Sequence, residues 1–439
     1  MKKVAMRSIA ALILAALLTV GLGYYVYLYI TRGESWATYY ANGHMSGSVG
    51  ASQVAIYDRN NVPLLTGAGE GRNYNEDIKV RMSTLHTVGD AEGNIYSLAM
   101  KLFSENSSYD PVHGVQTGEK VIRLSIDSGA CVKALEAMGD RRGAVGVYNY
   151  VTGEILCLVS TPAFDPADPP DLSKSDEGYE GAYINRFMAC TYTPGSVFKL
   201  VTAAAAVDTI GDIFSQTFIC EGSMTLSGQK IICGGIHGEI DFRTALAKSC
   251  NCAFAQIAEQ LGTQTLTDYV VKTGVCDSIE FQGVSSSTGQ FDLSQANTGD
   301  LAWAGIGQYY TLVNPCALMT YMGTIANGGR QRLPSLVCGV VGEDGGSRLS
   351  QVSAGLLKEM MANNVAVSYG AENYPGLALC AKSGTAETGG GLPHAWFAGF
   401  LDDDAHPYAF VVIAEDSGSG SEIAGPIANE VLQYMVSQG

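Results

Sequence analysis

A serine and a lysine lie one helical turn apart in the segment TYTPGSVFKL at positions 191–200. Pro194 and Gly195 are typical of a turn entering a helix, which would place Ser196 in its first turn among free backbone N–H groups. A serine hydroxyl becomes an effective nucleophile when a base lies within about 3 Å. Lys199 would share its helix face, and burial could lower the pKa of its amine from about 10.4 toward 7. The pair predicts nucleophilic catalysis, although a helix-capping serine beside a surface lysine gives the same pattern.

A second segment, KSCN, holds two polar side chains at a predicted break between helices. Ser249 could relay a proton between Lys199 and a leaving amine. Asn251 could hold the lysine and accept a substrate amide. A plain helix end, with the asparagine in a left-handed turn, is the structural alternative.

A third segment, AKSGTAE, follows a strand-like run. On a strand, Lys382 and Gly384 would share one face and Ser383 would point to the other. Lys382 supplies a second cation, Ser383 or Thr385 could bind a carboxylate, and Gly384 would let a substrate backbone approach closely. The N–H groups of Thr385 and Ser196 could form an oxyanion hole, in which each donor is typically worth ~2.7–4 kcal/mol. An exposed edge lysine before a glycine loop is the alternative.

The elements that must position these segments alternate between strands and helices. AVGVYNY and EILCLVS read as strands joined by a turn at 151–153, and LALCAKSGTAE, AWFAGFL and YAFVVIAE read as three more. Helices are predicted between them, with one ending at Gly262 and a last one over 423–436. Strands at both ends of one domain must share a sheet, or their edges would stay unpaired. The fold class is therefore α/β (α+β), a five-stranded antiparallel sheet flanked by helices.

The N-terminal region predicts a membrane anchor and a small module. Residues 9–30 are uncharged and long enough to span a bilayer, with Lys2, Lys3 and Arg7 before them. A cleaved signal peptide is the alternative, but its apolar region would be shorter. The predicted organisation is a cytoplasmic tip and anchor (1–30), an extracytoplasmic stalk (31–118) and a catalytic domain (119–439).

The formal charge of −17 argues against a nucleic-acid partner, which would require a basic face. Eleven cysteines in an exported chain suggest disulfides, and Cys220 and Cys233, which flank a hairpin-like stretch, are the candidate pair. Cys157 and Cys380 lie in strand-like runs and are expected to be buried. No zinc-type CxxC pair is present, and the CNC at 250–252 is too tight, so the sequence predicts neither a metal nor a cofactor.

The three motifs follow in the order S-x-x-K, S-x-N, K-[ST]-G, and the chain resembles the penicillin-binding protein transpeptidase domain. TGEILCLVSTPAFDP, GIGQYY, IANGG and HAWFAGF are further matching phrases. The resemblance covers residues 119–439. With the apolar N-terminus and short stalk, the chain is similar to a small class B penicillin-binding protein, whose fold serine β-lactamases share.

This resemblance implies a peptidoglycan D,D-transpeptidase. Ser196 would attack the penultimate D-Ala carbonyl of a stem peptide and release the terminal D-Ala, leaving an acyl-enzyme. Lys199 would be the base, Ser249 would carry the proton to the departing amine, and Asn251 would position these groups. A neighbouring stem peptide would then accept the acyl group, whereas β-lactams would stop at the acyl stage.

The resemblance also implies the remaining contacts. Lys382, Ser383 and Thr385, with Gly384 between them, would hold the terminal carboxylate. The chain would be a single-pass membrane protein with its catalytic domain outside the cytoplasm, and a glycan polymerase in a wall-synthesis complex would be a partner.

Three other functions stay open at this point. A serine β-lactamase or a β-lactam sensor would need a group that activates water, for which Glu387 and Glu259 are candidates only because they are acidic. A sensor would also need an intracellular domain, and few residues precede the anchor. A catalytically idle scaffold would tolerate loss of Ser196 or Lys199. D,D-carboxypeptidase activity could accompany transpeptidation, because water can replace the acceptor amine.

Overall fold

The computed structural model describes residues 2–37, 54–67, 72–105, 109–110, 114–115, 120–170 and 177–438. The α-helices are α1 (Lys2–Ala37), α2 (Ile78–Ser83), α3 (Leu85–Val88), α4 (Leu98–Glu105), α5 (Ser128–Met138), α6 (Arg186–Ala189), α7 (Lys199–Thr209), α8 (Phe242–Ala247), α9 (Asn251–Thr273), α10 (Thr298–Gly305), α11 (Pro315–Ala326), α12 (Gln351–Asn364) and α13 (Gly425–Gln438). Short 3₁₀ turns are Glu177–Tyr179, Gly195–Phe198, Ile213–Ser215 and Ala371–Asn373, and π-helical turns are Val365–Tyr369 and Gly420–Ala424.

The strands are β1 (Val54–Tyr57), β2 (Pro63–Gly67), β3 (Asn73–Tyr74), β4 (Tyr109–Asp110), β5 (Gly114–Val115), β6 (Lys120–Arg123), β7 (Gly143–Asn149), β8 (Ile155–Thr161), β9 (Thr217–Cys220), β10 (Ser223–Leu226), β11 (Gln229–Ile232), β12 (Gly238–Asp241), β13 (Glu280–Phe281), β14 (Val284–Ser285), β15 (Arg330–Arg332), β16 (Asp344–Ser347), β17 (Leu379–Ala386), β18 (His394–Leu401) and β19 (Tyr408–Ala414).

The predicted five-stranded antiparallel sheet is confirmed, in the order β17-β18-β19-β7-β8. A tight turn joins β7 to β8 where the sequence placed it, with Gly153 at φ +87°. β19 pairs with β7, and Val412 lies opposite Val145, so strands from the two ends of the domain meet in the middle of the sheet. Every residue of β8 is buried, as expected for a strand covered on both faces.

Helices cover both faces of this sheet. On one face, a Cβ at Gly146 would overlap the Phe187 ring of α6, and a Cβ at Gly323 of α11 would overlap the Tyr148 hydroxyl. On the other face, α5 and α13 pack against each other and against β8 and β19. Glycine at these two positions therefore lets α6 and α11 lie directly on β7.

A smaller sheet precedes this domain, in the order β3-β2-β1-β6. β6 pairs parallel with β1, with Ile122 opposite Ile56, so the first strand after residue 119 belongs to the small sheet. The buried carboxylate of Asp58 then accepts hydrogen bonds from the N–H (3.2 Å) and hydroxyl (2.7 Å) of Ser128, at the start of α5. We propose that the boundary of the stalk module lies after Arg123; much of its predicted span, 38–53 included, falls outside the described residues.

The N-terminal helix α1 is long and apolar enough over residues 2–32 to cross a membrane, and its apolar window is not buried against the rest of the chain. A signal sequence would meet the same criteria of length and composition. The apolar segment is therefore a candidate anchor.

The helix break at the KSCN motif is present, because α8 ends at Ala247 and α9 begins at Asn251. The helix that was expected to end at Gly262 leaves helical geometry there, as predicted, because Gly262 adopts φ +75° and ψ 167°. A second helix follows directly and runs to Thr273, so the span labelled α9 contains two helices on either side of this glycine. Glycine suits the break because it adopts a positive φ without strain.

The predicted disulfide is wrong: all eleven cysteines are free, Cys220 and Cys233 among them. Cys220 ends β9 and Cys233 follows β11, and these two strands belong to different two-stranded sheets. The backbone N–H of Cys233 bonds the carbonyl of Gly222 (2.9 Å), so the hairpin closes two residues beyond Cys220. Cys157 and Cys380 are buried in strands, as predicted.

Candidate active site

Ser196 lies in a 3₁₀ turn, Gly195–Phe198, that leads directly into α7. Gly195 has φ +56°, and a Cβ there would lie 2.7 Å from the carbonyl oxygen of Thr385, so only glycine fits. Residues i and i+3 eclipse in 3₁₀ geometry. Although α7 begins one turn later than predicted, the side chains of Ser196 and Lys199 meet, with 3.1 Å between Oγ and Nζ.

The Lys199 amine is fully buried and surrounded by oxygen atoms. Its Nζ lies 2.6 Å from the carbonyl oxygen of Ser249, 3.2 Å from the Ser249 hydroxyl and 2.7 Å from Oδ1 of Asn251. The Asn251 amide nitrogen donates to the carbonyl of Ile232 (2.8 Å), which fixes the orientation of the amide and leaves Oδ1 for the lysine. The KSCN motif therefore reaches Lys199 through both residues that the sequence singled out.

These contacts suit a neutral amine. The Ser249 carbonyl and the Asn251 Oδ1 can only accept, and they are the two closest partners of Nζ. A neutral amine has two N–H groups, which these acceptors occupy, and its lone pair remains for the hydroxyl proton of Ser196. Burial lowers the pKa of Lys199 to about 7, although the nearby thiols of Cys233, Cys250 and Cys252 act in the opposite direction. Lys199 can thus be deprotonated near neutral pH.

Acylation of Ser196 is expected to slow as the pH falls through about 7. Protonation of Lys199 fills the lone pair that would take the serine proton, so the rate should drop about tenfold per pH unit below that pKa. The second-order rate constant for acylation by a chromogenic β-lactam, measured between about pH 5 and 9, tests this expected pH dependence. Near-ultraviolet circular dichroism at each pH controls for unfolding, and a flat profile in a folded sample would contradict the assignment.

Ser249 connects the two buried lysines. Its hydroxyl lies 2.9 Å from Nζ of Lys382, which also donates to the carbonyl of Ser383 (2.9 Å). Burial, and then the charge of Lys199, hold the pKa of Lys382 well below its usual range. A proton can therefore move between the two amines through one hydroxyl.

The backbone of Ser249 is in the left-handed region, at φ +52°. It closes α8 by donating to the carbonyl of Leu246 (3.1 Å), and Cys250 then caps α9. Glycine usually occupies such a position, and a side chain there costs about 1–2 kcal/mol. The left-handed residue is the serine, not Asn251, and this turn directs both its carbonyl and its hydroxyl to Lys199.

The third motif lies on β17, an edge strand of the described sheet. Lys382 and Gly384 are buried, Ser383 is half-buried and Thr385 is exposed, which matches the predicted alternation. Tyr369, which the sequence did not single out, accepts the Ser383 N–H (2.8 Å), and its hydroxyl lies 3.1 Å from the Ser383 hydroxyl. Tyr369 precedes a glycine in a π-helical turn, and no sequence signal ties that turn to β17.

Glycine at position 384 is also required by packing within the chain. A Cβ there would lie 2.8 Å from the carbonyl oxygen of Pro194 and 3.1 Å from Val197. The missing side chain therefore lets β17 press against the turn that carries Ser196. Substrate approach at Gly384 stays a prediction, and the packing of β17 on the serine turn is a second reason for glycine there.

Trp396 holds the same turn from β18. It is fully buried, and its indole N–H donates to the carbonyl of Thr193 (3.0 Å). The N–H of Gly195 also donates to the carbonyl of Gly307 (2.9 Å). Trp396 lies in the segment HAWFAGF and Gly307 lies in GIGQYY. The sequence analysis identified both segments through the family resemblance, but it did not predict their contacts with the serine turn.

The family model described as the penicillin binding protein transpeptidase domain matches residues 143–433, which include all eight predicted site residues. Peptidoglycan D,D-transpeptidase PbpA of Mycobacterium tuberculosis (strain H37Rv) is 31% identical over 337 residues, which is 67% of this chain and 67% of that protein.

Solved structures share the fold. Penicillin-binding protein A from M. tuberculosis, as a ceftriaxone acyl-enzyme complex, has a TM-score of 0.74 at 23% identity, covering 88% of this chain and 99% of that one. The penicillin-binding protein (PBP2) of Helicobacter pylori, solved in complex with MreC, has a TM-score of 0.67 at 20% identity, covering 74% of this chain and 66% of that one.

Proposed function

The chain belongs to the penicillin binding protein transpeptidase family, and from that premise we propose that Ser196 carries the acyl group when stem peptides are cross-linked. The chain is a serine-type peptidoglycan D,D-transpeptidase that β-lactams acylate. One observation carries the assignment of Ser196: its Oγ lies 3.1 Å from a buried amine whose two N–H groups have closer acceptors.

Acylation begins when the Ser196 hydroxyl transfers its proton to the lone pair of Lys199. The Ser196 oxygen forms a bond to the penultimate D-Ala carbonyl carbon, and the carbonyl oxygen gains the negative charge. We place the N–H groups of Ser196 and Thr385 around that oxygen. The support is the close approach of β17 to the serine turn, where the Thr385 carbonyl faces Gly195.

The leaving amine needs a proton when the C–N bond to the terminal D-Ala breaks. Ser249 is placed to give it, since its hydroxyl contacts both Lys199 (3.2 Å) and Lys382 (2.9 Å). The proton that Lys199 took from Ser196 replaces the one that Ser249 gives away. Asn251 holds Lys199 during this exchange.

In the second half-reaction, an amine of a neighbouring stem peptide attacks the acyl carbon. A new amide bond forms, the ester bond to Ser196 breaks, and the Ser196 oxygen recovers a proton through Lys199. The described hydrogen-bond partners of Lys199 include no carboxylate. Glu387 and Glu259 are both exposed, which gives a hydrolytic function no specific support.

The terminal carboxylate of the donor peptide is assigned to Lys382, Ser383 and Thr385. β17 is an edge strand of the described sheet, so an extended peptide can add to it by backbone pairing. Thr385 is exposed on this strand, and its hydroxyl oxygen accepts a long hydrogen bond from the N–H of Gly420 (3.4 Å). The hydroxyls of Ser383 and Thr385 share one face of this strand, and the buried Lys382 amine bonds the carbonyl of Ser383 (2.9 Å).

The candidate anchor supports a single-pass topology in which the catalytic domain lies outside the cytoplasm, where peptidoglycan is assembled. A transpeptidase acts on glycan strands that a polymerase makes, so we propose a polymerase-containing wall-synthesis complex as the partner. The complex of H. pylori PBP2 with MreC shows that a protein of the same fold assembles with another protein, which supports this proposal.

The test uses the full chain in detergent with benzylpenicillin, followed by intact mass and peptide mapping. One long-lived adduct per chain on the peptide that contains Ser196 is expected. A stem peptide ending in D-Ala-D-Ala should release D-Ala and join an amine acceptor, and the matched peptide ending in D-Ala-L-Ala should react far more slowly.

Two results would contradict this function. Rapid loss of the adduct with turnover of the drug would identify a β-lactamase. An adduct on a peptide without Ser196 would show that the nucleophile is elsewhere.

A further inference from the structure

Four side chains that the transpeptidase reaction does not use converge directly beside the Ser249 turn. They are Cys220, Cys233, His237 and Cys250, and their ligand atoms all lie within 4.8 Å of one another. The three cysteines are buried and His237 is half-buried. Cys250 stands between Ser249 and Asn251, so this cluster is continuous with the catalytic turn.

Two spacings within the cluster have the values expected of tetrahedral coordination, and all ligand atoms lie within 4.8 Å of one another. Zinc binds thiolate sulfur at about 2.3 Å and imidazole nitrogen at about 2.0–2.1 Å, so neighbouring ligand atoms of a tetrahedral site lie about 3.5–3.8 Å apart. Sγ of Cys233 lies 3.8 Å from Sγ of Cys250 and 3.6 Å from Nδ1 of His237. A disulfide would bring two sulfurs to about 2 Å, and all three cysteines are free.

The surrounding backbone supports these side chains in the way it supports metal ligands. The N–H of Asn251 points at the sulfur of Cys233 (3.3 Å), and the N–H of Ala253 points at the sulfur of Cys250 (3.4 Å). Such outer hydrogen bonds orient and stabilise thiolates. The chain also closes around the cluster, because the N–H of His237 bonds the carbonyl of Cys220 (3.2 Å).

We propose that Cys220, Cys233, His237 and Cys250 bind one zinc ion. Three thiolates and an imidazole form a common structural zinc set, and soft sulfur ligands disfavour magnesium and calcium. Four protein ligands complete a tetrahedron and leave no position for a substrate, so the ion is structural. The pattern C-x12-C-x3-H-x12-C lacks the short CxxC pair, which is why the sequence analysis predicted no metal.

The ion would join the region of β9 to β12 to the first turn of α9. Asn251 is tied to this region twice, by its N–H to Cys233 and by its amide to Ile232. Without the ion, the turn that presents Ser249 and Asn251 to Lys199 would lose a cross-link. The four ligands therefore act as positioning residues for the reaction.

The full chain in detergent is tested with the metal alone, by zinc analysis and by titration of the metal-free form with cobalt(II). We expect one bound equivalent per chain, thiolate-to-cobalt charge transfer in the near ultraviolet, and intense visible bands of tetrahedral cobalt. Cys220→Ser and His237→Ala should each weaken binding by about tenfold or more, since changes to outer partners alone cost that much. Cys338→Ser, a free and half-buried cysteine outside the cluster, is the matched control and should bind as the parent does.

The zinc content and the cobalt spectrum of the parent chain test the proposal even if a variant fails to fold. Absence of bound zinc together with octahedral cobalt spectra would overturn it, and so would equal zinc in the parent and a folded Cys220→Ser chain. Removal of zinc should slow acylation of Ser196 several-fold without moving the adduct, and an unchanged rate would overturn the positioning role. Zinc content is measured without any β-lactam. A failure of the zinc proposal can therefore be distinguished from a failure of the proposed acylation of Ser196.

Discussion

The Ser196→Ala chain is expected to form no covalent adduct with benzylpenicillin and to release no D-Ala from a stem peptide. The substitution removes only the oxygen that lies 3.1 Å from Lys199, and Lys199 keeps its closer contacts to Ser249 and Asn251. The change in the free energy of unfolding should stay within about 0.5 kcal/mol, as for other substitutions that remove no major packing. Intact mass after incubation measures the adduct, and thermal unfolding measures the stability.

Ser294→Ala is the matched control, because Ser294 is an exposed serine outside the three motifs. It should acylate at the parent rate. An adduct on the folded Ser196→Ala chain would assign the acyl group to another residue and remove the basis of the mechanism.

The Lys199→Met chain is expected to acylate about 10²–10⁴-fold more slowly than the parent, the usual contribution of a positioned general base. That range corresponds to about 2.7–5.4 kcal/mol of activation free energy. Methionine fills a similar volume but has no lone pair able to take the Ser196 proton. The loss should therefore appear in the acylation rate constant at every pH, and the step near pH 7 should vanish with it.

Lys248→Met is the control, since Lys248 is an exposed lysine directly before Ser249. Its acylation rate and pH profile should match the parent. A Lys199→Met chain that keeps the parent rate would assign the proton transfer to a different group, with Lys382 as the next amine to test.

The sequence was a good guide wherever the information is local. Each of the five strands of the main sheet has its own apolar run and turn signal, and the Gly153 turn follows from three adjacent residues. The three motifs also identified the residues that meet around Lys199. Their meeting depends on the pairing of β19 with β7, which only the family resemblance and the sheet argument anticipated.

Contacts between distant segments were not readable in the same way. Ser249 takes a left-handed conformation that single-residue preferences assign to glycine or asparagine, because its carbonyl and hydroxyl both bond Lys199. Gly384 was predicted to allow substrate approach, and its missing side chain also makes room for the Pro194 carbonyl. In both places a tertiary contact adds a constraint that the local pattern does not show.

The wrong disulfide has the same physical origin. Cys220 and Cys233 do converge, as their spacing suggested, but the third thiol and the imidazole that join them are set by β12 and by the start of α9. An interpretation that pairs two cysteines by their spacing cannot detect a cluster of four side chains from separate segments. Likewise, the parallel pairing of β6 with β1 supports the proposed boundary after Arg123, and parallel partners lie too far apart in the chain for local patterns to show it.

The order of the strands along the chain also determines when Ser196 can become reactive toward β-lactams during biosynthesis. Ser196 and Lys199 leave the ribosome long before β17, which supplies Lys382 and packs against the serine turn. Domains whose contacts are distant in sequence fold slowly, and the sheet closes only when β19 reaches β7. A stalled or truncated chain would therefore carry Ser196 yet stay inert to β-lactams, because Lys382 would not have been added.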